Sequence, residues 1–143
     1  MSYNNYLISI LIIITSYLLN IIPIAFSIDE DTELAHICLP NNKSFTSSYK
    51  ESRALVVIDI ISNIYKGFRN ASHYTQFEDT AYGLALCRGD VSPNDCKKCV
   101  NNASTTLINT DHCPGSRSAV IWRDFCLVKY SDVNFFGIID VKK

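Results

Sequence analysis

Six cysteines are the residues of this chain whose type and spacing could do chemistry. Three of them form a tight group, Cys87-x8-Cys96-x2-Cys99, and the complete set is Cys38, Cys87, Cys96, Cys99, Cys113 and Cys126. An even number of cysteines in an exported chain predicts disulfides, although the spacing leaves their pairing open. We therefore expect structural disulfides whose partners cannot be identified from the spacing.

Two other chemistries compete for the same cysteines. Cys96 and Cys99 together with His112 and Cys113 have the ligand types of a tetrahedral zinc site, but an exported protein normally oxidises its thiols. A thioredoxin-type redox pair would need Cys96 at a helix N-terminus behind a strand of a β-α-β unit, and no such alternation is visible. Structural disulfides remain the favoured interpretation, with no metal and no cofactor expected.

Oxidation is expected because the chain begins with an export segment. Residues 1–27 contain no Lys, Arg, Asp or Glu, and residues 7–19 are rich in Leu and Ile. Ala25 and Ser27 place small residues at the first and third positions of a signal-peptidase site. The sequence predicts a signal peptide over 1–27 and one mature domain over 28–143, with no membrane span after cleavage. An uncleaved signal anchor is the alternative.

The charge balance excludes one class of function. The chain has 13 Lys and Arg against 14 Asp and Glu, a net charge of -1. A protein that binds DNA or RNA through phosphates needs a surplus of positive charge to release counterions. No nucleic-acid partner is therefore expected.

The elements that must position the cysteines include one well-marked helix. Ser92 is a predicted N-cap, Pro93 takes the first helical position, and Asp95 can reach back to the cap. The residues expected on its buried face follow at intervals of three and four: Cys96, Cys99, Val100, Ala103 and Leu107. This periodicity is typical of an amphipathic helix.

A second helix is predicted to begin at Ser47 or Ser48, with Ser48 and Glu51 as a capping box, and to end near Gly67. It is predicted to run through Leu55, Ile58, Ile61 and Tyr65, which are apolar residues at intervals of three and four. The β-branched run over residues 56–61 leaves a strand as the alternative.

Short apolar runs over residues 81–86, 119–122 and 125–130 are predicted strands, because they are rich in aromatic and β-branched residues and are bounded by turn residues. Arg123 and Asp124 suit a hairpin between the last two. The pattern indicates an α+β domain, an antiparallel sheet with two helices on one face.

Several segments together resemble the plant ginkbilobin-homologous domain, also called the stress-antifungal domain. They are the three-cysteine group and residues 82–90, 119–122, 126–131 and 135–137. The domain occurs in ginkbilobin, in cysteine-rich repeat secretory proteins, in plasmodesmata-located proteins and in cysteine-rich receptor-like kinase ectodomains. The resemblance covers about residues 38–137, with the core of the domain expected over about 34–137, and it implies a five-stranded antiparallel sheet with two helices and three disulfides.

The resemblance also implies a disulfide pairing and a ligand site. The implied pairs are Cys38–Cys113, Cys87–Cys96 and Cys99–Cys126. The mannose site of ginkbilobin uses an Asn, an Arg and a Glu, and the corresponding positions are Leu39, Val120 and Ser131. None of these can make charge-assisted hydrogen bonds to sugar hydroxyls. Nearby Arg117 and Arg123 could shift such a site, but we expect both to be solvated surface charges.

Other residues are weaker candidates for function. Asn42, Asn70 and Asn102 each begin an N-glycosylation sequon. The histidines His36, His73 and His112 are scattered, so each is expected to be a surface or core residue rather than a catalytic base. Ile121 and Trp122 could face a ligand groove, although a tryptophan in a strand is more often a core residue.

The sequence and the resemblance together favour a secreted plant defence or stress domain in the apoplast that binds a protein or a glycan and is not an enzyme. The expected partners are receptor-like kinase ectodomains, a second copy of the chain through a sheet edge, or cell-wall glycans. A mannose-binding antifungal lectin of the ginkbilobin type is the alternative.

Overall fold

The computed structural model describes residues 2–21, 31–40, 43–109 and 112–138. The chain divides into two compact units, Met1–Glu30 and Asp31–Lys143. In the first unit, Ser2–Ile21 form helix α1. Among the described residues, no helix is both long and apolar enough to cross a membrane. The predicted cleavage site at residues 25–27 lies outside the described residues.

The second unit is an α+β domain built on one antiparallel sheet. Its elements are β1 (Glu33–Leu39), α2 (Ser47–Asn63), β2 (Phe68–His73), β3 (Ala81–Cys87), α3 (Pro93–Ile108), β4 (Ser118–Arg123) and β5 (Cys126–Ser131). The strand order is β1-β4-β5-β3-β2, with every neighbouring pair antiparallel. This confirms the predicted fold, including the hairpin between β4 and β5.

Helix α3 begins as predicted. The Ser92 hydroxyl accepts a hydrogen bond from the Asp95 N–H at 3.1 Å, and Pro93 takes the first turn. The predicted buried face is also observed, since the side chains that α3 buries include Cys96, Cys99, Val100, Ala103 and Leu107. The capping signals and the single apolar stripe are sufficient to predict the start and the buried face of α3, because both indicate the same helix.

Helix α2 forms, but its predicted N-cap is wrong. Thr46 is the N-cap, and its hydroxyl accepts from the Tyr49 N–H at 3.0 Å. The Ser48 hydroxyl lies instead 2.6 Å from the Thr75 hydroxyl. Thr and Ser are both good N-caps. The contact between the hydroxyls of Ser48 and the distant Thr75 therefore decides between them.

The apolar series through which α2 was predicted to run is not its buried face, and the helix ends at Asn63 rather than near Gly67. Ile58 is 60% exposed, Leu55 is 39% exposed, and Tyr65 lies beyond the end of the helix. The buried residues are Tyr49, Ser52, Arg53, Val56, Val57 and Ile60. Apolar residues lie on more than one side of α2, and its polar residues find partners inside the domain. Arg53, for example, donates to the Tyr130 hydroxyl at 3.1 Å.

Helix α2 lies directly on the backbone of β3 at Gly83. A Cβ atom at this position would overlap the side chains of Val56 and Ile60. Glycine is therefore needed for the close approach of the helix to the sheet, rather than for an unusual backbone angle.

Three disulfides cross-link helix α3 and the edge strand β1 to the rest of the domain. Cys38–Cys113 joins β1 to the segment before β4, Cys87–Cys96 joins β3 to α3, and Cys99–Cys126 joins α3 to β5. These are the pairs that the family resemblance implies. All six cysteines are oxidised, so none has a free thiol for the zinc or redox alternatives.

Arg117 is buried, contrary to the expectation of a solvated surface charge. Its guanidinium donates to Asp79 at 2.8 Å, to Asp132 at 2.9 Å and to the Ser44 carbonyl at 2.9 Å. Its charged group also lies 4.0 Å from the centroid of the Tyr49 ring. A buried cation is tolerated because its donors and its charge are both satisfied.

The same network perturbs two ionisable neighbours. Hydrogen bonds from Thr46 and Arg117 hold the pKa of Asp79 below its ordinary value. Burial raises the pKa of Tyr49, and its hydroxyl donates to the Arg117 carbonyl. Arg123 is also paired rather than free in solvent, because it donates to Asp31 at 2.7 Å.

Candidate binding face

The sheet has one face covered by α2 and α3 and one that these helices leave open. Alternate side chains of β3 are buried towards the helices, and those between them, Tyr82, Leu84 and Leu86, are half-buried or exposed. Residues paired across neighbouring antiparallel strands point to the same side of a sheet. The register therefore identifies the side chains of this second face, which we call the open face.

The open face consists of three rows that cross all five strands. The outer row is Ala35, Trp122, Leu127, Leu86 and Phe68. The middle row is Ile37, Val120, Lys129, Leu84 and Asn70. The inner row is Leu39, Ser118, Ser131, Tyr82 and Ser72. The outer row is entirely apolar, whereas the other two rows contain polar groups.

The segment after β5 packs against the inner and middle rows. The Phe136 ring meets the Tyr82 ring edge to face at 5.8 Å between centroids. The Lys129 ammonium lies 4.5 Å from the centroid of Phe135. These contacts leave the outer row accessible, and Phe68 and Leu86 are each 49% exposed.

Charged groups lie along one side of the outer row, beside its three central members. A shallow groove of about 200 Å³ there is lined by residues that include Leu86, Trp122, Leu127, Arg88, Arg123 and Asp124. Arg88 donates to Asp90 at 2.6 Å and to the Asp124 carbonyl at 3.2 Å. An apolar centre with a polar rim is the usual anatomy of a protein interface.

The three positions of the implied sugar site lie together on the open face. Val120 is buried between Ile37 and Lys129, its cross-strand neighbours in the middle row. Leu39 is in the inner row, where the Ser131 hydroxyl lies 2.9 Å from the Ser118 hydroxyl and accepts from the Val133 N–H at 3.1 Å. Two aliphatic side chains and a hydroxyl with partners of its own offer little to the hydroxyls of a sugar.

Ile121 and Trp122, which were expected to share a ligand groove, lie on opposite faces of the sheet because side chains alternate along a strand. Ile121 is fully buried towards the helices, so the expectation is wrong for this residue. Trp122 is half-buried on the open face and is not a core residue. Period-two alternation in β4 could have predicted this separation.

The sequons lie in different environments. Asn70 is exposed on β2, in the middle row of the open face. Asn102 is exposed on α3, but the Ser104 hydroxyl of its sequon is buried without a hydrogen-bond partner. Asn42 lies outside the described residues.

Two of the three histidines, far apart in sequence, are close in space. His36 and His112 have ring centroids 4.9 Å apart, and both face Glu33. His73 lies elsewhere, with its Nε2 atom 3.2 Å from Asp59. The spacing of residues 33, 36 and 112 carries no signal that could have predicted this cluster.

Comparison with known proteins gives one family. The family model described as salt stress response/antifungal matches residues 37–133. An antimicrobial ginkbilobin-2-like protein of Castanea crenata is 42% identical over 112 residues, which are 76% of this chain and 45% of that protein. Cysteine-rich repeat secretory protein 38 of Arabidopsis thaliana is also 42% identical over 112 residues, covering 75% of this chain and 42% of that protein. The chain thus spans less than half the length of these relatives.

A solved structure shares the fold. The tandem DUF26 ectodomain of the Arabidopsis thaliana cysteine-rich receptor-like protein PDLP5 superposes with a TM-score of 0.66 and 24% identity. The match covers 75% of this chain and 53% of that ectodomain.

Proposed function

This chain belongs to the salt stress response/antifungal family of secreted cysteine-rich plant proteins, and on that premise we propose that it acts in defence or stress by recognising a partner, without catalysis. Residues 1–27 serve as a cleaved signal peptide, and residues 28–143 are the mature domain in the apoplast. The disulfides and the absence of free thiols suit an oxidising compartment.

The observation that carries this proposal is the exposed apolar outer row of the open face. Phe68 and Leu86 leave about half of their side-chain surface in water, and their neighbours Leu127 and Trp122 continue the apolar strip towards β4. Contiguous apolar surface with a polar rim marks sites of protein association. We therefore place recognition on the open face rather than on a sheet edge.

The proposed occupant is another domain of this family, and a second copy of the chain is the simplest case. An apolar strip can pack against the same strip on a like domain in a two-fold symmetric interface. The net charge of -1 opposes such pairing only weakly. The related solved structure is described as a tandem ectodomain, and this chain matches about half of it.

The experiment compares self-association of the secreted protein with that of Leu86→Asp and Phe68→Asp by sedimentation velocity over a concentration series. A buried carboxylate in the interface should raise the dissociation constant at least about tenfold. Ile58→Asp is the matched control, because Ile58 is an exposed apolar residue on α2. Each variant is first compared with the unmodified protein by thermal melting.

A monomeric protein that binds a purified receptor-like ectodomain through Leu86 would still support recognition of a like domain. A protein that remains monomeric and also binds no such ectodomain would overturn the proposal. If Ile58→Asp and Leu86→Asp raised the dissociation constant equally, the assignment of the interface to the open face would be wrong.

A mannose-binding antifungal role is the second candidate, favoured by the 42% identity to an antimicrobial ginkbilobin-2-like protein. Leu39, Val120 and Ser131 oppose it, because burying sugar hydroxyls against unsuitable partners costs about 1–3 kcal/mol each. Retention of the purified domain on immobilised mannan, released by free mannose, would establish this role.

A further inference from the structure

Glu33, His36 and His112 bring three potential metal ligands to one point beside the edge strand β1. The His36 Nδ1 atom lies 2.7 Å from one oxygen of Glu33, and the His112 Nε2 atom lies 3.6 Å from the other. The ligand atoms of all three residues lie within 4.8 Å of one another. Each side chain keeps roughly a third of its surface exposed, so an ion could enter from solvent.

An irregularity in β1 places two of these ligands on the same side. Residues three apart in a regular strand point to opposite faces of the sheet. Between Glu33 and Ala35 the register with β4 shifts: Glu33 pairs with Arg123, and Ala35 pairs with the adjacent Trp122. Strand β1 therefore has one extra residue at this point. A β-bulge of this kind redirects a side chain. It brings Glu33 to the side of His36, which is paired with the buried Ile121.

A disulfide holds the third ligand next to the other two. Cys113 directly follows His112, and its partner Cys38 lies two residues after His36 in β1. The Cys38 sulfur also lies 3.1 Å from the carbonyl oxygen of His112. Both imidazoles are thus attached close to the same covalent cross-link, which reduces the entropy lost when they bind one ion.

We propose that Glu33, His36 and His112 form a binding site for a divalent late transition-metal ion, with Zn²⁺ as the representative ion. Two imidazole nitrogens and one carboxylate oxygen are a known zinc ligand set, and the remaining position can hold water. At metal–ligand bonds of about 2.0–2.1 Å, tetrahedral ligand atoms lie roughly 3.3 Å apart. The observed separations of 2.7 and 3.6 Å run to different oxygens of Glu33 and lie on either side of this value, and one ligand atom from each residue can be chosen so that all three lie within 4.8 Å of one another.

The ligand chemistry also predicts selectivity. Imidazole suits Zn²⁺, Cu²⁺ and Ni²⁺, whereas Ca²⁺ and Mg²⁺ prefer sites made of oxygen alone. This site differs from the zinc alternative at Cys96 and Cys99, whose sulfurs are in disulfides. It is also separate from the open face, so its test is independent of the proposed function.

The test is isothermal titration of the secreted protein, purified without a histidine tag, with ZnCl₂ and separately with CaCl₂. We expect one Zn²⁺ per chain and no Ca²⁺ binding. His36→Ala and His112→Ala should each weaken Zn²⁺ binding by roughly tenfold or more. His73→Ala is the matched control, since His73 also pairs with a carboxylate, that of Asp59, on β2.

Chemical-shift changes on adding Zn²⁺ give a readout that does not depend on affinity alone. They should centre on the amides of residues 33–38 and 112–113. Lack of Zn²⁺ binding at submillimolar concentration would overturn the proposal, as would shifts centred elsewhere. The proposal would also be overturned if His73→Ala weakened Zn²⁺ binding as much as His36→Ala.

Discussion

At the scale of single residues, Arg117 connects parts of the domain that are distant in sequence. Arg117 directly precedes β4. Its guanidinium donates to Asp79, which lies in the turn before β3, to Asp132, which follows β5, and to the carbonyl of Ser44, which precedes α2. Removing such a cation leaves two carboxylates close together with no compensating charge. The damage should therefore exceed the loss of a typical surface ion pair.

Arg117→Ala is expected to lower the free energy of unfolding by about 3–5 kcal/mol, measured by urea denaturation at neutral pH. Lys98→Ala, which removes only the exposed pair with Asp95, should cost less than about 1 kcal/mol. Comparable losses in the two variants would contradict this assignment of Arg117.

The pH dependence provides a second readout for the same variant. The pKa of Asp79 is lowered in the folded state, so its contribution to stability is complete above the ordinary carboxylate pKa and is lost as the pH falls through the lowered value. Because Arg117 is one cause of the lowered pKa, Arg117→Ala should lose part of this acid-dependent stability.

At the scale of elements, the disulfides differ in the length of chain that they close. The partners are separated by 75 residues in Cys38–Cys113, 27 in Cys99–Cys126 and 9 in Cys87–Cys96. Only Cys38–Cys113 attaches β1, whose position at the edge leaves it with one neighbouring strand. The other two attach α3 to neighbouring strands at the centre of the sheet.

Replacing both Cys38 and Cys113 by Ala should lower the melting temperature more than replacing both Cys87 and Cys96. Loop-closure entropy predicts losses of about 4.5 and about 2.7 kcal/mol respectively. Packing acts in the opposite direction, because only Cys113 of the first pair is buried whereas both Cys87 and Cys96 are buried. Alanine retains part of that packing, so we expect the difference in loop-closure entropy to determine the order of the two melting temperatures. Differential scanning calorimetry of both variants tests the ranking, and the reverse order would show that packing dominates.

At the scale of the whole molecule, the domain combines a disulfide-bonded core with an accessible apolar outer row on its open face. The chain spans less than half of its named relatives, and its fold matches about half of a tandem ectodomain. A domain with an accessible apolar strip is suited to work beside another domain, which agrees with the proposed recognition role.

Intact mass of the secreted protein should give an N-terminus at Ile28 and no alkylation of its six cysteines until they are reduced. The small residues Ala25 and Ser27 suit cleavage at this point, and the disulfides block every thiol. Enzymatic removal of N-glycans converts each glycosylated Asn to Asp and therefore identifies which of the sequons at Asn42, Asn70 and Asn102 are occupied. Retention of Met1 would favour the uncleaved anchor, and a free thiol before reduction would contradict the disulfide framework.

The sequence by itself determined the features that depend on short-range signals. The cap at Ser92, the apolar stripe of α3 and the strand runs are local patterns, and each appears in the structure. The family resemblance, which spans most of the domain, supplied the five-stranded sheet and the disulfide pairing. Strands β1 and β2 had no clear pattern of their own, because β1 is exposed along its length and β2 is mostly exposed.

The tertiary structure alone decided the features that depend on contacts between distant residues. The apolar residues of α2 permit more than one buried face, and only packing against Gly83 and Tyr130 selects the observed one. Burial of Arg117 requires carboxylates 38 and 15 residues away. The approach of His112 to Glu33 requires both a bulge and a disulfide. Such long-range pairings leave no periodic trace in the sequence, because their free energy arises only when the chain has folded.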